Sequence, residues 1–275
     1  MSTDMSTTTD IGTTTAHSSG RTSLIELKNI GKSYGNIIAL SGINLRVGAG
    51  EVTGVLGDNG AGKSTLIKIM AGLHQQTEGE LLVDGVDTKF DSPKDALGKG
   101  IATVYQDLAV VSLMPVWRNF FLGQELRKKG IFKALDVNTM RATTIEELHK
   151  MGIDLPDVDA PIGSLSGGQR QCVAIARAIF FGARVLILDE PTAALGVKQS
   201  GMVLRYISAA KEQGFGVVFI THNPHHAYMV GDHFVLLNRG RQKLDCTYDE
   251  INLDELTKEM AGGDELETLT HELRR

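Results

Sequence analysis

The fold of this chain is decided by nine residues, Gly57-Asp58-Asn59-Gly60-Ala61-Gly62-Lys63-Ser64-Thr65, which fit the pattern G-x-x-x-x-G-K-[ST] of a phosphate-binding loop. Glycines let the backbone turn tightly, so its N–H groups can approach phosphate oxygens. Such a loop joins a strand to a helix, and the apolar run Val52–Leu56 and the helical spacing of residues 63–71 supply both. We therefore predict that all nine residues bind a nucleotide, with Lys63 on the β- and γ-phosphates and Ser64 on Mg²⁺.

Three later apolar quartets, at residues 185–188, 217–220 and 234–237, predict buried strands. They lack polar–apolar alternation, which is typical of a parallel sheet that is covered on both faces. A helical stretch at about 196–213 separates the first two, so the order is strand, helix, strand. This order predicts an α/β fold with a mostly parallel sheet.

Two acidic residues, Asp189 and Glu190, directly follow the first of these quartets. The carboxyl ends of parallel strands are where open α/β sheets bind their ligands. We predict that Asp189 holds Mg²⁺, directly or through water, and that Glu190 polarises the attacking water as a general base. The alternative is that both acids simply end a strand in solvent.

A second glycine motif, Leu165-Ser166-Gly167-Gly168-Gln169, precedes a helical run at residues 169–178. Ser166 is a good N-cap, and the N-terminus of a helix attracts anions. On physical grounds alone, an ordinary capped helix is the favoured interpretation.

The two glycine motifs together resemble the ATP-binding cassette family, whose signature segment is Leu-Ser-Gly-Gly-Gln. The resemblance covers about residues 24–240, and further residues match in the order that the family has them. Tyr34 matches the aromatic residue that stacks on adenine, Gln106 the glutamine that senses Mg²⁺, and His222 the switch histidine that contacts the γ-phosphate. The resemblance implies a P-loop NTPase core with an antiparallel β subdomain and a helical subdomain inserted at about 100–165.

Each glycine motif occurs only once in the chain. In the family, the signature helix of a second subunit closes on the phosphates that the first subunit holds. The resemblance therefore implies a homodimer around two ATP molecules, which closes when ATP binds and opens after hydrolysis. One position departs from the family, because Gly196 follows Ala193-Ala194-Leu195 where an Asp is usual. That departure puts strong coupling between the two sites in doubt.

Residues 104–109 and 116–123 look like bacterial importers of simple sugars of the ribose, xylose and fructose type. This likeness implies two permease subunits as partners, a periplasmic sugar-binding protein that acts indirectly, and a location on the cytoplasmic face of the bacterial inner membrane. Trp117, Phe120 and Phe121 could equally form the core of the helical subdomain. A soluble cassette ATPase, such as one of iron–sulfur assembly, is the alternative function.

Composition limits the remaining classes of function. A hydrophobic content of 42% in 275 residues can supply a core, and a net charge of −5 argues against nucleic acid as a partner. No apolar run approaches the ~18 residues of a membrane span, and we expect no signal peptide. Cys172 and Cys246 suggest neither a disulfide framework nor a metal site. His225 and His226 remain unassigned, because no cysteine or acidic cluster supports a metal site there.

The two ends of the chain differ from its middle. Residues 1–23 are rich in Ser and Thr, so we predict a disordered tail there. Residues 241–275 form a charged extension, and we expect an exposed helix in its last 25 or so residues.

Overall fold

A computed structural model of the chain describes residues 23–130 and 133–261. The strands in these ranges are β1 (Ser23–Tyr34), β2 (Ile37–Gly48), β3 (Val52–Leu56), β4 (Glu78–Val83), β5 (Val86–Asp87), β6 (Ile101–Val104), β7 (Val185–Asp189), β8 (Gly216–Thr221), β9 (His233–Asn238) and β10 (Arg241–Thr247). The helices are α1 (Lys63–Met70), α2 (Pro93–Gly98), α3 (Val116–Phe120), α4 (Val137–Lys150), α5 (Gly167–Phe180), α6 (Val197–Glu212), α7 (Pro224–Val230) and α8 (Leu253–Met260).

The strands form one sheet in the order β5-β4-β1-β2-β10-β9-β3-β8-β7-β6. From β9 to β6, neighbouring strands are parallel. At the other end, β5, β4, β1 and β2 pair antiparallel. One bridge, between Ser41 of β2 and Arg241 of β10, joins the two parts. The sheet therefore confirms the predicted α/β class, with a parallel core and an antiparallel part.

Both faces of the parallel core are covered by helices, which explains why its strands do not alternate between polar and apolar residues. Successive residues of a strand point to opposite faces. Leu186 of β7 thus belongs to the core cluster that contains Val173 of α5. Its neighbour Ile187 belongs to the cluster that contains Ile67 of α1. The helix after the phosphate loop and the helix after the signature segment consequently pack against opposite faces of the sheet.

The chain between β6 and β7 carries α3, α4 and α5, and its aromatic residues are buried. Trp117 is 7% exposed, and Phe120 and Phe121 are fully buried. The two phenylalanine rings pack against Phe180 and Phe181 at the end of α5. Of the two interpretations of this aromatic stretch, the structure therefore supports a core.

Most predicted elements are found close to their predicted bounds. The strands predicted at 185–188, 217–220 and 234–237 are β7, β8 and β9, and the helix predicted at about 196–213 is α6. Within the last 25 residues, where a helix was predicted, the structure has α8, and positions 262–275 lie outside the described residues. Positions 1–22 of the predicted tail also lie outside them. None of the described helices combines the length and the apolar character that crossing a bilayer demands.

Candidate active site

The loop between β3 and α1 has a backbone that only glycine tolerates at two positions. Gly57 has φ 145° and Gly62 has φ 108°. A Cβ atom on Gly57 would lie 2.4 Å from the carbonyl oxygen of Leu237, and one on Gly62 would lie 2.6 Å from Cδ2 of Leu40. The glycines of this motif therefore set both the path of the loop and its close approach to the neighbouring strands.

Helix α1 begins without a side-chain cap, because its N-cap residue is Gly62. By contrast, side chains cap α4, α5, α7 and α8. The first N–H groups of a helix have no partner within the helix, and they attract anions together with the helix dipole. Lys63 adds an ammonium group, which donates to the carbonyl oxygens of Gly57 and of Asp58, the latter at 3.0 Å. A positive loop at a helix N-terminus that has no side-chain cap fits a triphosphate.

Tyr34 lies at the end of β1 and leaves 42% of its surface exposed. The ammonium of Lys32 lies 5.1 Å from the centre of its ring and donates to the carbonyl oxygen of Gln75 at 2.7 Å. The ring of His74 meets it edge-on at 5.7 Å. An exposed ring that is held by its neighbours in this way can stack on a nucleobase.

Asp189 ends β7 directly opposite Ile220 of β8. Burial raises the pKa of its carboxyl group, nearby Glu190 raises that pKa further, and the ammonium of Lys63 lowers it. The carboxyl group of Asp189 is therefore close enough to Lys63 of the phosphate loop and to Glu190 for both charges to act on it. A carboxylate of Asp189 and the hydroxyl of Ser64 are oxygen ligands of the kind that Mg²⁺ prefers, so these residues fit that ion.

Glu190 is held in a strained conformation at the corner between β7 and the loop that follows. Its φ is 48°, a left-handed value that a non-glycine residue adopts only where its surroundings enforce it. Its N–H group donates to the carbonyl oxygen of Ile220 at 2.9 Å. Its Oε2 atom accepts from the hydroxyl of Thr221 at 3.3 Å and lies 2.9 Å from Nδ1 of His222. The structure thus brings two of the predicted catalytic residues, Glu190 and His222, into contact, whereas the third, Gln106, makes no hydrogen bond with either among the described residues.

Gln106 follows β6, the strand next to β7, and its side chain is exposed. It lines a cleft of about 640 Å³ together with Glu190, Leu195, Gly167 and further residues of the same loops. The glutamine that was predicted to bind Mg²⁺ therefore faces the same space as the predicted base. The signature segment of the same chain borders that space from α5.

The signature segment caps its own helix. The Oγ atom of Ser166 accepts from the N–H of Gln169 at 3.3 Å, and the side chain of Gln169 accepts from the N–H of Ser166 at 2.9 Å. This capping box fulfils the prediction from local chemistry. Because the serine oxygen only accepts in this pair, its hydroxyl proton stays available to donate to another group.

The two glycines of the signature segment also have a packing role that the sequence did not reveal. A Cβ atom on Gly168 would lie 3.1 Å from the carbonyl oxygen of Gln199, and one on Gly167 would lie 2.6 Å from Cδ2 of Leu195. Segment 195–199 therefore approaches the start of α5 closely. No spacing in the sequence indicated this contact.

Comparison with known proteins gives consistent results. A family model described as ABC transporter matches residues 40–193. The xylose/arabinose import ATP-binding protein of Sulfolobus acidocaldarius is 42% identical over 86% of this chain and 93% of its own length. The fructose import ATP-binding protein of Rhizobium meliloti is 38% identical over 88% of this chain and 95% of its own length.

One of the similar solved structures is a dimer. A dimeric ATP-binding cassette in a post-hydrolysis state, bound to ADP and Pi, is 28% identical to this chain. It superimposes with a TM-score of 0.67 over 82% of this chain and 98% of its own chain. The similarity therefore includes a cassette that was captured as a dimer with its products.

Proposed function

Since this chain belongs to the ABC transporter family, we propose that it is the ATP-hydrolysing subunit of a sugar importer and that it works as a homodimer. The family assignment makes the chain an ATP-binding cassette ATPase. The names of its relatives as import ATP-binding proteins for xylose/arabinose and for fructose support sugar import over iron–sulfur assembly. These relatives are similar in length to this chain, which spans 93% and 95% of them.

Nucleotide binding rests on the phosphate loop and on Tyr34. The N–H groups of Gly57–Thr65 and the ammonium of Lys63 would hold the triphosphate, while the ring of Tyr34 would stack on adenine. Oxygen atoms of Ser64, Asp189 and Gln106 would hold Mg²⁺, which neutralises charge on the β- and γ-phosphates when it is bound.

The observation that carries the hydrolytic function is the contact between Glu190 and His222. As a general base, Oε2 of Glu190 would accept a proton from the attacking water or orient that water for attack. His222 and Thr221 hold this oxygen in place, and His222 would also contact the γ-phosphate. In this arrangement the protein supplies mainly position and charge, which is what phosphoryl transfer requires.

The homodimer follows from the placement of the two anion-attracting helices. Helices α1 and α5 of one chain pack against opposite faces of its sheet. A second copy would bring its own Leu165-Ser166-Gly167-Gly168-Gln169 segment to the triphosphate that α1 holds, with the hydroxyl proton of Ser166 as one donor. The similar cassette that was solved as a dimer supports this assembly.

The permease would dock on an apolar groove of about 280 Å³ beside Gln106. Leu108, Val110, Val173 and Phe181 are among the residues that line it. This docking would place the chain on the cytoplasmic face of the membrane, opposite the periplasmic face at which the permease would receive sugar from a binding protein. We assign residues 24–240 to the cassette, about 100–165 of them to its helical subdomain, and 241–275 to a charged extension.

Sugar uptake tests this proposal directly. Cells that lack the gene should take up less of one labelled sugar among xylose, arabinose, fructose and ribose, and the wild-type gene should restore uptake. A gene for Lys63→Ala should restore less uptake than the wild-type gene, because nucleotide binding would be weakened. Unchanged uptake of all four sugars in the deletion strain would contradict the proposed transport function.

A further inference from the structure

His226 has no role in the function described above, although it lies four residues beyond His222. It does not serve a metal site of the usual kind, since the described residues place no three His, Cys, Asp or Glu side chains together for one. Its Nδ1 atom lies 3.0 Å from the hydroxyl of Thr192, a buried residue that follows Glu190 by two positions. This contact joins α7 to the loop that carries the catalytic base.

The loop after β7 is strained on both sides of Thr192. Glu190 has φ 48° and Ala194 has φ 58°, and both are left-handed values on non-glycine residues. Such conformations persist only where neighbouring contacts enforce them. The backbone bond from Glu190 to Ile220 fixes one end of this loop, and the contact with His226 fixes its middle.

A closed ring of polar contacts runs through both ends of this loop. The hydroxyl of Thr221 donates to Glu190 and accepts from the N–H of Asn223 at 3.1 Å. The side chain of Asn223 accepts from the N–H of His226 at 3.2 Å, and His226 reaches Thr192. Thr192 is joined to Glu190 through the backbone of Pro191, which closes the ring. The base is thus anchored twice on the same corner between β8 and α7.

We propose that His226 is a positioning residue for ATP hydrolysis, which acts through Thr192 to hold the carboxylate of Glu190 in place. This inference rests on the proposed function, because it assigns Glu190 as the base. His226 touches neither the phosphate loop nor Tyr34 in any hydrogen bond of the described residues. Its loss should therefore slow the chemical step and leave nucleotide binding intact.

The state of the imidazole suits this role. Burial lowers the pKa of His226, and the nearby rings of His225 and His222 lower it further. Because this pKa lies below the ordinary value of 6.5, the ring is neutral at physiological pH and can bond the hydroxyl of Thr192 through Nδ1.

Four variants of the full-length chain test the proposal by steady-state ATP hydrolysis with Mg²⁺. His226→Leu and Thr192→Val each remove the bond, His226→Asn keeps an amide near the position of Nδ1, and His225→Ala is the matched control at an exposed neighbour. We expect the first two to lower kcat by ~10- to 100-fold with KM for ATP changed less than about twofold, since small displacements of a catalytic group cost rates of that size.

The double variant of His226→Leu and Thr192→Val should be no slower than either single one, because both remove the same contact. His226→Asn should keep kcat within about threefold of the wild-type value. The control His225→Ala should have the wild-type kcat. Wild-type kcat in Thr192→Val, independent effects that multiply in the double variant, or no rescue by His226→Asn would overturn the proposal. If His226→Leu does not fold, Thr192→Val decides alone.

The outcome is distinguishable from a failure of the proposed function. A wild-type chain that hydrolyses no ATP would refute the ATPase assignment before any variant is compared. The inference about His226 is tested once the wild-type chain is seen to hydrolyse ATP, and any of the three results named above then overturns it.

Discussion

Nδ1 of His222 lies 2.9 Å from Oε2 of Glu190, although the two residues are 32 positions apart in the chain. The contact arises because β7 and β8 are adjacent parallel strands, so that their carboxyl ends meet at one edge of the sheet. Glu190 is 11% exposed there, whereas His222 leaves 59% of its side chain accessible. Glu190 is thus a shielded carboxylate beside an accessible histidine, which suits its proposed role as the base.

Glu190→Gln should abolish hydrolysis and spare ATP binding. Glutamine keeps the shape of the side chain and can still accept from Thr221, but it cannot take a proton from water. We expect kcat to fall by at least ~100-fold, the usual contribution of a general base. Phosphate release and ATP titration measure the two effects. Glu146→Gln, on the exposed side of α4, is the matched control, and a Glu190→Gln chain that turns over at the wild-type rate would refute the assignment.

Lys63→Ala should weaken nucleotide binding by ~10- to 100-fold, because it removes the cation at the centre of the phosphate loop. Lys68→Ala lies on the same helix, but its side chain is exposed. That control should bind ATP as the wild-type chain does. Isothermal titration calorimetry compares the two, and equal affinities would show that the loop does not use its lysine.

Gly168→Ala should lower the free energy of unfolding by ~1–3 kcal/mol, since a new Cβ would press on the backbone of Gln199. Gly201→Ala is the opposite case, because this glycine lies within α6 and only the tip of Arg205 comes within 4.0 Å of the added atom. It should stabilise the chain by ~0.5–1 kcal/mol. Urea unfolding measures both changes, and a neutral Gly168→Ala would mean that α5 and α6 can separate freely.

Asp84→Asn should destabilise the chain in a pH-dependent manner. Two hydrogen bonds from Arg184 hold Asp84, at 3.1 and 2.7 Å, and lower the pKa of its carboxyl group. The stabilisation is therefore complete above the unfolded-state value of 3.8 and is lost as pH falls through the lower folded-state pKa. Because both side chains are about half exposed, we expect a loss of at most ~1 kcal/mol at pH 7.

Urea unfolding of wild type and Asp84→Asn at a series of pH values tests that expectation. The difference between them should shrink in acid and also in high salt, which screens exposed charges. A difference that stays constant from neutral to acidic pH would indicate a cause other than the ion pair.

The phosphate loop, the strand-end acids and the capping box could be predicted from the sequence because each depends on residues that are close in the chain. The contacts that organise the site could not, since they depend on which strands are neighbours. The bond between Thr221 and Glu190 and the contact of Gly168 with Gln199 are of this second kind. The sequence also left the role of Trp117 open, and its burial settled that question.

The structure shows that the backbone at Gly196 does not require a glycine. Its φ of −70° is open to any residue, and an added Cβ would meet nothing within 4 Å. No demand of the backbone therefore explains the glycine at a position where the family resemblance implies an Asp. An aspartate would fit at this N-cap of α6, so weaker coupling between the two sites of a dimer remains the prediction for this chain.

The most direct test of the central claim is the mass of the Glu190→Gln chain in solution, measured by light scattering during gel filtration with and without Mg²⁺ and ATP. In the proposed assembly two copies surround each triphosphate, and Glu190→Gln should block the hydrolysis that opens it. The account predicts a monomer of 29.7 kDa without ATP and a species of twice that mass with ATP. A chain that binds ATP and stays monomeric at every concentration tested would contradict it.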